Sequence, residues 1–390
     1  MTTLTPVRTE PGVLERVRAA GRRTDWIMIA AILAILAISL YVIRASTEED
    51  IEGAPGFFFT RQLLYISAGL VLMVVFARLN LEALARWHWA IWGGLLGSLA
   101  VVFVLAPTIR GTRSWIEIGP LNLQPSEFGK IALMLVLAGL VVAAGTAIST
   151  WRFTLLATGV AVVPALIVFV QPDLGTALVY FVILLAILFV AGTPWHHLAV
   201  FAAVIATIMA SVLWILPAGG VEVLKPYQVD RLTSFVGGVD DDPGGASYQQ
   251  DQSTVAIGSG GAIGKGTDGA TQTINDFLPE HHTDFVFAVT GEMLGFVGAG
   301  GLLLLYGLVL WRGVRTTALA SNRVDQLVAA AVVAVIGFQV FINIGMNVGL
   351  MPITGLPLPF MSYGGSHTLT MLACVGLLIG VHQRRSALST

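Results

Sequence analysis

Ten long apolar stretches constrain this chain more than any other feature. They fall near 26–44, 62–80, 88–106, 130–148, 153–170, 175–192, 197–216, 284–311, 326–350 and 366–382. A hydrocarbon layer of about 30 Å is crossed by roughly 20 helical residues. Within it every backbone N–H and C=O must be satisfied internally. A closed barrel would need alternating polarity in segments of about ten residues, and these runs do not alternate. The expected fold class is therefore an all-α polytopic membrane protein with ten transmembrane helices. Composition agrees: 56% of residues are hydrophobic and 11% charged, against roughly 25% charged in soluble domains. A net charge of -2 provides no basic field for nucleic acid. The one cysteine, Cys374, lies in an apolar run, which excludes an internal disulfide and reads as a buried hydrophobe.

An even number of spans places both termini on one side. Arg8, Arg16, Arg18, Arg22 and Arg23 precede the first run, and Arg78, Arg86, Arg152, Arg312, Arg315, Arg323, Arg384 and Arg385 fall on the same side. This bias points both termini to the cytoplasm. The first run exceeds a signal-peptide core of about 7–15 residues and reads as a retained span. The chain then divides into an N-terminal tail (1–25), a membrane domain (26–382) and a C-terminal tail (383–390). Three outer loops remain: 107–129, 351–366, and the large 217–283 between helices seven and eight. They mix aromatics, Pro and Gly with single charges. Non-helical backbone survives at membrane depth only when buried in protein or lining a cavity, so these loops suggest a cavity open to the outside.

The densest proton chemistry is at FLPEHHTDF, 277–285, where Glu280, His281, His282 and Asp284 crowd a membrane boundary. If the eighth helix starts near Asp284, its dipole favours the ionised carboxylate, and Thr283 could serve as N-cap. Both are ordinary structural roles. Glu292 lies eight residues on, about 12 Å deeper, where an ionisable group is a functional-site hypothesis by default. Adjacent histidines on a helix diverge by about 100° and suit zinc poorly. A divalent ion shared with a substrate phosphate would suit carboxylates here better. GSGGAIGKGTDG, 258–269, fails the phosphate-loop pattern, because Ser259 and Gly266 stand at required positions; it reads as a flexible turn. In QPSEFGK, Glu127 and Lys130 would face one another on a helix, as a structural ion pair or with Lys130, Arg110 and Arg113 toward an anionic lipid head. QPDLGT makes Asp173 a corner residue.

Five segments, PSEFGK, QPDLGT, YQQDQSTVAIGSGGAIGKG, FLPEHHTDFVFAV and GLPLPFMSYGGS, together resemble the signatures of the SEDS family (shape, elongation, division and sporulation proteins). The resemblance spans nearly the whole chain after the tail. It is nearer the family's rod-shape RodA branch than its division branch, FtsW. It implies a peptidoglycan glycosyltransferase of the cytoplasmic membrane, polymerising lipid II on the outer face for wall elongation and rod shape. Asp284 would be the catalytic base, taking the proton of the acceptor's 4-hydroxyl while undecaprenyl diphosphate leaves the donor. Lys130, Glu127, Arg113, Trp115, Lys265, Glu280, His282, Glu292, Ser362 and Tyr363 are the expected substrate-binding residues. No cofactor is required with certainty; magnesium or manganese would fit the diphosphate. The implied partner is a class B penicillin-binding protein on helices eight and nine, near the small-residue patch GFVGAGG. Three departures stand out: Arg113 precedes Trp115 by two positions rather than one, Met293 follows Glu292 where a second glutamate is common, and His367 follows SYGGS where serine is common. A lipid II flippase, a non-catalytic scaffold and a division-type paralogue are the alternatives.

Overall fold

Within its described residues each apolar run folds as a helix in the computed structural model, which describes residues 24–48, 54–105, 115–118, 121–211, 245–275 and 277–388. The helices are α1 (Trp26–Ser46), α2 (Phe57–Ala77), the short α3 (Leu81–Ala85), α4 (His88–Leu105), α5 (Pro125–Ala144), α6 (Trp151–Val170), α7 (Leu174–Ala191) and α8 (Trp195–Ala210). Next come α9 (Ala246–Ser259), α10 (Thr271–Ile274), α11 (Val286–Ala318), α12 (Arg323–Asn347) and α13 (Gly365–Leu388). Among the described residues, eight of these are long and apolar enough to cross a membrane; α4 and α8 are shorter apolar helices. Most of the expected tail 1–25 and much of the loop 217–283 lie outside the described residues.

Helix ends follow local chemistry. Asp25, Thr150, Asp173 and Asn322 accept backbone N–H bonds at the starts of α1, α6, α7 and α12, satisfying donors that a helix leaves open. Pro125 opens α5, where its missing N–H costs nothing. The centre is α13, which is almost wholly buried. Gly376 and Gly380 let it approach α2 closely; a Cβ would meet the carbonyls of Met73 and Ala77 at 2.3 and 2.5 Å. Small residues four apart serve this purpose in membranes, where dispersion rather than water exclusion holds helices together.

Two expectations need correction. The outer loop 107–129 ends sooner, because Ile116–Ile118 (β1) and Leu121–Leu123 (β2) pair antiparallel, Ile116 opposite Leu123, and α5 starts at Pro125. The glycine-rich segment is no flexible turn. α11 breaks at Gly295, whose φ of 66° and ψ of -167° are non-helical. The loop 260–266 supplies what the break removes. Lys265 and Gly266 donate their N–H groups to the carbonyls of Glu292 and Met293 at 3.0 and 3.1 Å, while Gly261 and Ala262 accept from Phe296 and Val297 at 2.9 and 3.0 Å. Glu292 locks the junction: its carboxylate accepts from the backbone of Gln272 and Thr273 and from the Thr273 hydroxyl, with Lys265 at 3.6 Å. A broken helix at membrane depth is tolerated only with such replacement partners.

The contact leaves no room for side chains. A Cβ on Gly264 would stand 2.2 Å from the Met293 carbonyl. Gly264→Ala and Gly295→Ala, both at positive φ, should each destabilise by about 1–3 kcal/mol. Gly300→Ala, with open space around its Cβ, should not. Thermal unfolding in detergent reads the difference, and equal midpoints would contradict the clasp.

Candidate active site

Asp284 stands in a turn, not in the first turn of α11. Glu280 takes a left-handed φ of 54° and its carbonyl accepts from the N–H groups of Thr283 and Asp284 at 3.1 and 3.2 Å. The Thr283 hydroxyl turns back to the Glu280 carbonyl and carboxylate. Thr283 is therefore not the N-cap of α11; that position is Phe285, without a side-chain cap.

Three successive carbonyls of this turn are anchored. The Tyr363 N–H donates to His282 O at 2.9 Å, the Ser362 hydroxyl to Thr283 O at 2.6 Å, and Asn343 and Asn347 to Asp284 O at 2.9 and 3.1 Å. Asn343, Asn347 and Ser362 are fully buried. Asn347 also accepts from the Ala288 N–H at 3.0 Å, tying down the start of α11. With its backbone held from behind, Asp284 lines a cavity of about 290 Å³.

Trp115, Glu127, Thr283, Asp284 and Tyr363 line this cavity together with Gln124, Asp173 and His367. Lys130 is fully buried behind Glu127, 2.5 Å from its carboxylate. His367 lies 3.2 Å from the other Glu127 oxygen, which accounts for a histidine after SYGGS. Asp173 caps α7 through the Thr176 N–H at 2.9 Å and accepts from Gln124 at 2.8 Å; burial raises its pKa. Burial, followed by neighbouring Tyr65, pushes the Tyr363 phenol up to about 12, so it remains a hydrogen-bond donor at neutral pH.

The other expected residues are elsewhere. Lys265 and Glu292 form the α11 clasp and do not line the cavity. Ser362 is sealed from it and acts on backbone. Glu280 shapes the turn. His282 packs its ring on Phe58, centroids 4.7 Å apart. Arg113 and Arg110 lie outside the described residues. Asn343, Asn347 and Asp173 were missing from the expected site. So was Arg61, whose positive charge neighbours the Tyr363 phenol and lies 4.4 Å over the Phe57 ring.

Two outcomes follow. Asn347→Ala strands the Ala288 N–H and half-releases Asp284 O; it should cost about 1–3 kcal/mol, read as a lowered unfolding midpoint. An unchanged midpoint contradicts the anchoring. For Asp173, the folded chain keeps a proton that the unfolded chain has lost. That contribution is full below the ordinary aspartate range and disappears as pH rises through the folded value. The wild-type midpoint should therefore fall relative to Asp173→Asn as pH goes from about 4 to about 8; a pH-independent gap would contradict it.

Residues 22–387 match the family model described as "Cell cycle protein", for FtsW, RodA and SpoVE. The chain is 36% identical over 368 residues to stage V sporulation protein E of Bacillus subtilis, covering 92% of this chain and 96% of that one. It is 35% identical over 369 residues to peptidoglycan glycosyltransferase MrdB of Escherichia coli K12, covering 94% and 95%. A solved structure described as a peptidoglycan synthase complex coordinating polymerization and crosslinking contains a chain with TM-score 0.77 and 33% identity, covering 93% and 98%. Thermus thermophilus rod shape determining protein RodA aligns with TM-score 0.65 and 29% identity, covering 93% and 97%. The chain belongs to the FtsW/RodA/SpoVE (SEDS) family of cell cycle proteins.

Proposed function

We propose that this protein is a peptidoglycan glycosyltransferase that polymerises lipid II, with Asp284 as general base. One observation carries the reading: Asp284 lines an open cavity beside Glu127, Asp173 and Tyr363 while its backbone is fixed by buried asparagines. The names of the relatives support the activity. Asp284 takes the proton of the acceptor's 4-hydroxyl, the oxygen attacks C1 of the donor sugar, and the polyprenyl diphosphate leaves. Holding both lipid-linked sugars beside one carboxylate converts an encounter into a positioned reaction.

The leaving diphosphate needs compensating charge. Arg61, beside the cavity residue Tyr363, and Arg113 serve this purpose, while Lys130 acts only through Glu127. Among the described residues no three His, Cys, Asp or Glu side chains converge as a metal site. A divalent ion would be shared between cavity carboxylates and diphosphate oxygens.

In this reading ten helices cross the cytoplasmic membrane, both termini are cytoplasmic, and the cavity opens on the outer face with the loop 217–283. The arginine bias and the likeness to RodA support that orientation and a role in elongation. A class B penicillin-binding protein would dock on α11 and α12. The likeness to a chain from a synthase complex supports such a partner.

Purified protein given lipid II should make glycan polymer, and Asp284→Ala should lose a factor of about 10²–10⁴ in rate with an unchanged unfolding profile. Polymer at the wild-type rate from that variant would remove Asp284 from the mechanism. Wild-type protein that moves lipid II between leaflets without polymer would favour the flippase alternative.

A further inference from the structure

A second cavity, of about 520 Å³, lies at the opposite end of the bundle. Asn80, Glu82, Arg86, His88, Val142 and Arg323 are among the residues that line it. α12 fixes its depth: Arg323 begins the helix and Asn347, at its end, holds Asp284. The intervening turns measure roughly 36 Å at about 1.5 Å per residue, which exceeds a hydrocarbon thickness of about 30 Å. The cavity is therefore at the other membrane boundary.

Six tryptophans stand toward the same end. Trp26, Trp87, Trp89, Trp151 and Trp195 stand at or beside helix starts, and Trp311 lies two turns before the end of α11. All are at least 40% exposed. Exposed tryptophans gather where acyl chains meet headgroups.

The charges at this end are unbalanced. Asp25 is paired with Arg312 at 2.7 Å and Asp325 with Arg384 at 2.7 Å. Arg323 donates to the Gln326 amide oxygen at 2.6 Å and the Val190 carbonyl at 2.9 Å, which holds its guanidinium at the cavity without a carboxylate. Arg86 is exposed and has no ion-pair partner among the described residues. His88 is fixed through Nδ1, 2.9 Å from Ala85 O. Glu82 is the single carboxylate among the lining residues.

We propose that this cavity binds the headgroup of an anionic membrane phospholipid, with its phosphate on Arg86 and Arg323 and an acyl chain against Val142. A lipid fits better than a free phosphate because the mouth lies at the end where these tryptophans stand and the half-exposed Val142 provides an apolar wall. Each arginine near a lipid surface contributes about 1 kcal/mol, or about fivefold in affinity.

The test is native mass spectrometry of the full chain released from nanodiscs of mixed phosphatidylglycerol and phosphatidylcholine. Wild type should retain phosphatidylglycerol preferentially. Arg86→Ala and Arg323→Ala should each reduce the preference about fivefold. Arg152→Ala, an exposed arginine of the same end outside the cavity, should leave it unchanged. Arg86, being exposed, can be replaced with little risk to folding. No preference in wild type, or an equal loss in Arg152→Ala, overturns the proposal. So does inorganic phosphate displacing the lipid at equal concentration.

Discussion

Backbone that leaves the helical path inside a membrane must find hydrogen-bond partners within the protein. Two such places organise this molecule. At residues 282–284 the carbonyls are taken by Tyr363, Ser362, Asn343 and Asn347. At Gly295 the interrupted ladder of α11 is completed by the loop 260–266. The first places Asp284 at the cavity; the second fixes the helix that continues from it. Buried amides are costly when unpaired, so each anchor also opposes alternative packings.

The polar interior follows a consistent division of labour. Residues fully sealed from solvent, such as Lys130, Glu292, Asn343 and Ser362, bond to other protein groups. Residues with access to the cavity, Asp284, Asp173 and Tyr363, are held by such neighbours, by backbone bonds or by caps. This arrangement keeps the Asp284 carboxylate on a rigid support, the condition under which positioning would contribute most to rate.

The helices were legible because the apolar runs are long and do not alternate as barrel strands would, although two of them, α4 and α8, form shorter apolar helices among the described residues. The ion pair of Glu127 and Lys130 followed from their spacing of three, and Asp284 stood out for its company of ionisable residues. What escaped was whatever depends on contacts distant in sequence. Asn343 and Asn347 sit within an apolar helix, and nothing local reveals that their amides face a turn some sixty residues earlier. Gly295 resembles any glycine of a membrane helix until the loop 260–266 is seen against it. Glu292 and Lys265 carried the expected charges, but their partners are each other and α10, not a substrate. Asp173 read as a corner because its cap is local, while its place in the cavity is tertiary. The hairpin of three-residue strands was too short for a pattern.

The central claim is that the residue-284 side chain faces water in a cavity reached from the side opposite the termini. Its most direct test is thiol accessibility. Asp284→Cys in a Cys374→Ser background, treated in intact cells with a charged, membrane-impermeant maleimide, should be labelled from outside, as should an exposed control, Asp268→Cys. A thiol at position 284 that stays unlabelled from outside while the control reacts, or that reacts only from the cytoplasmic face, would contradict the account.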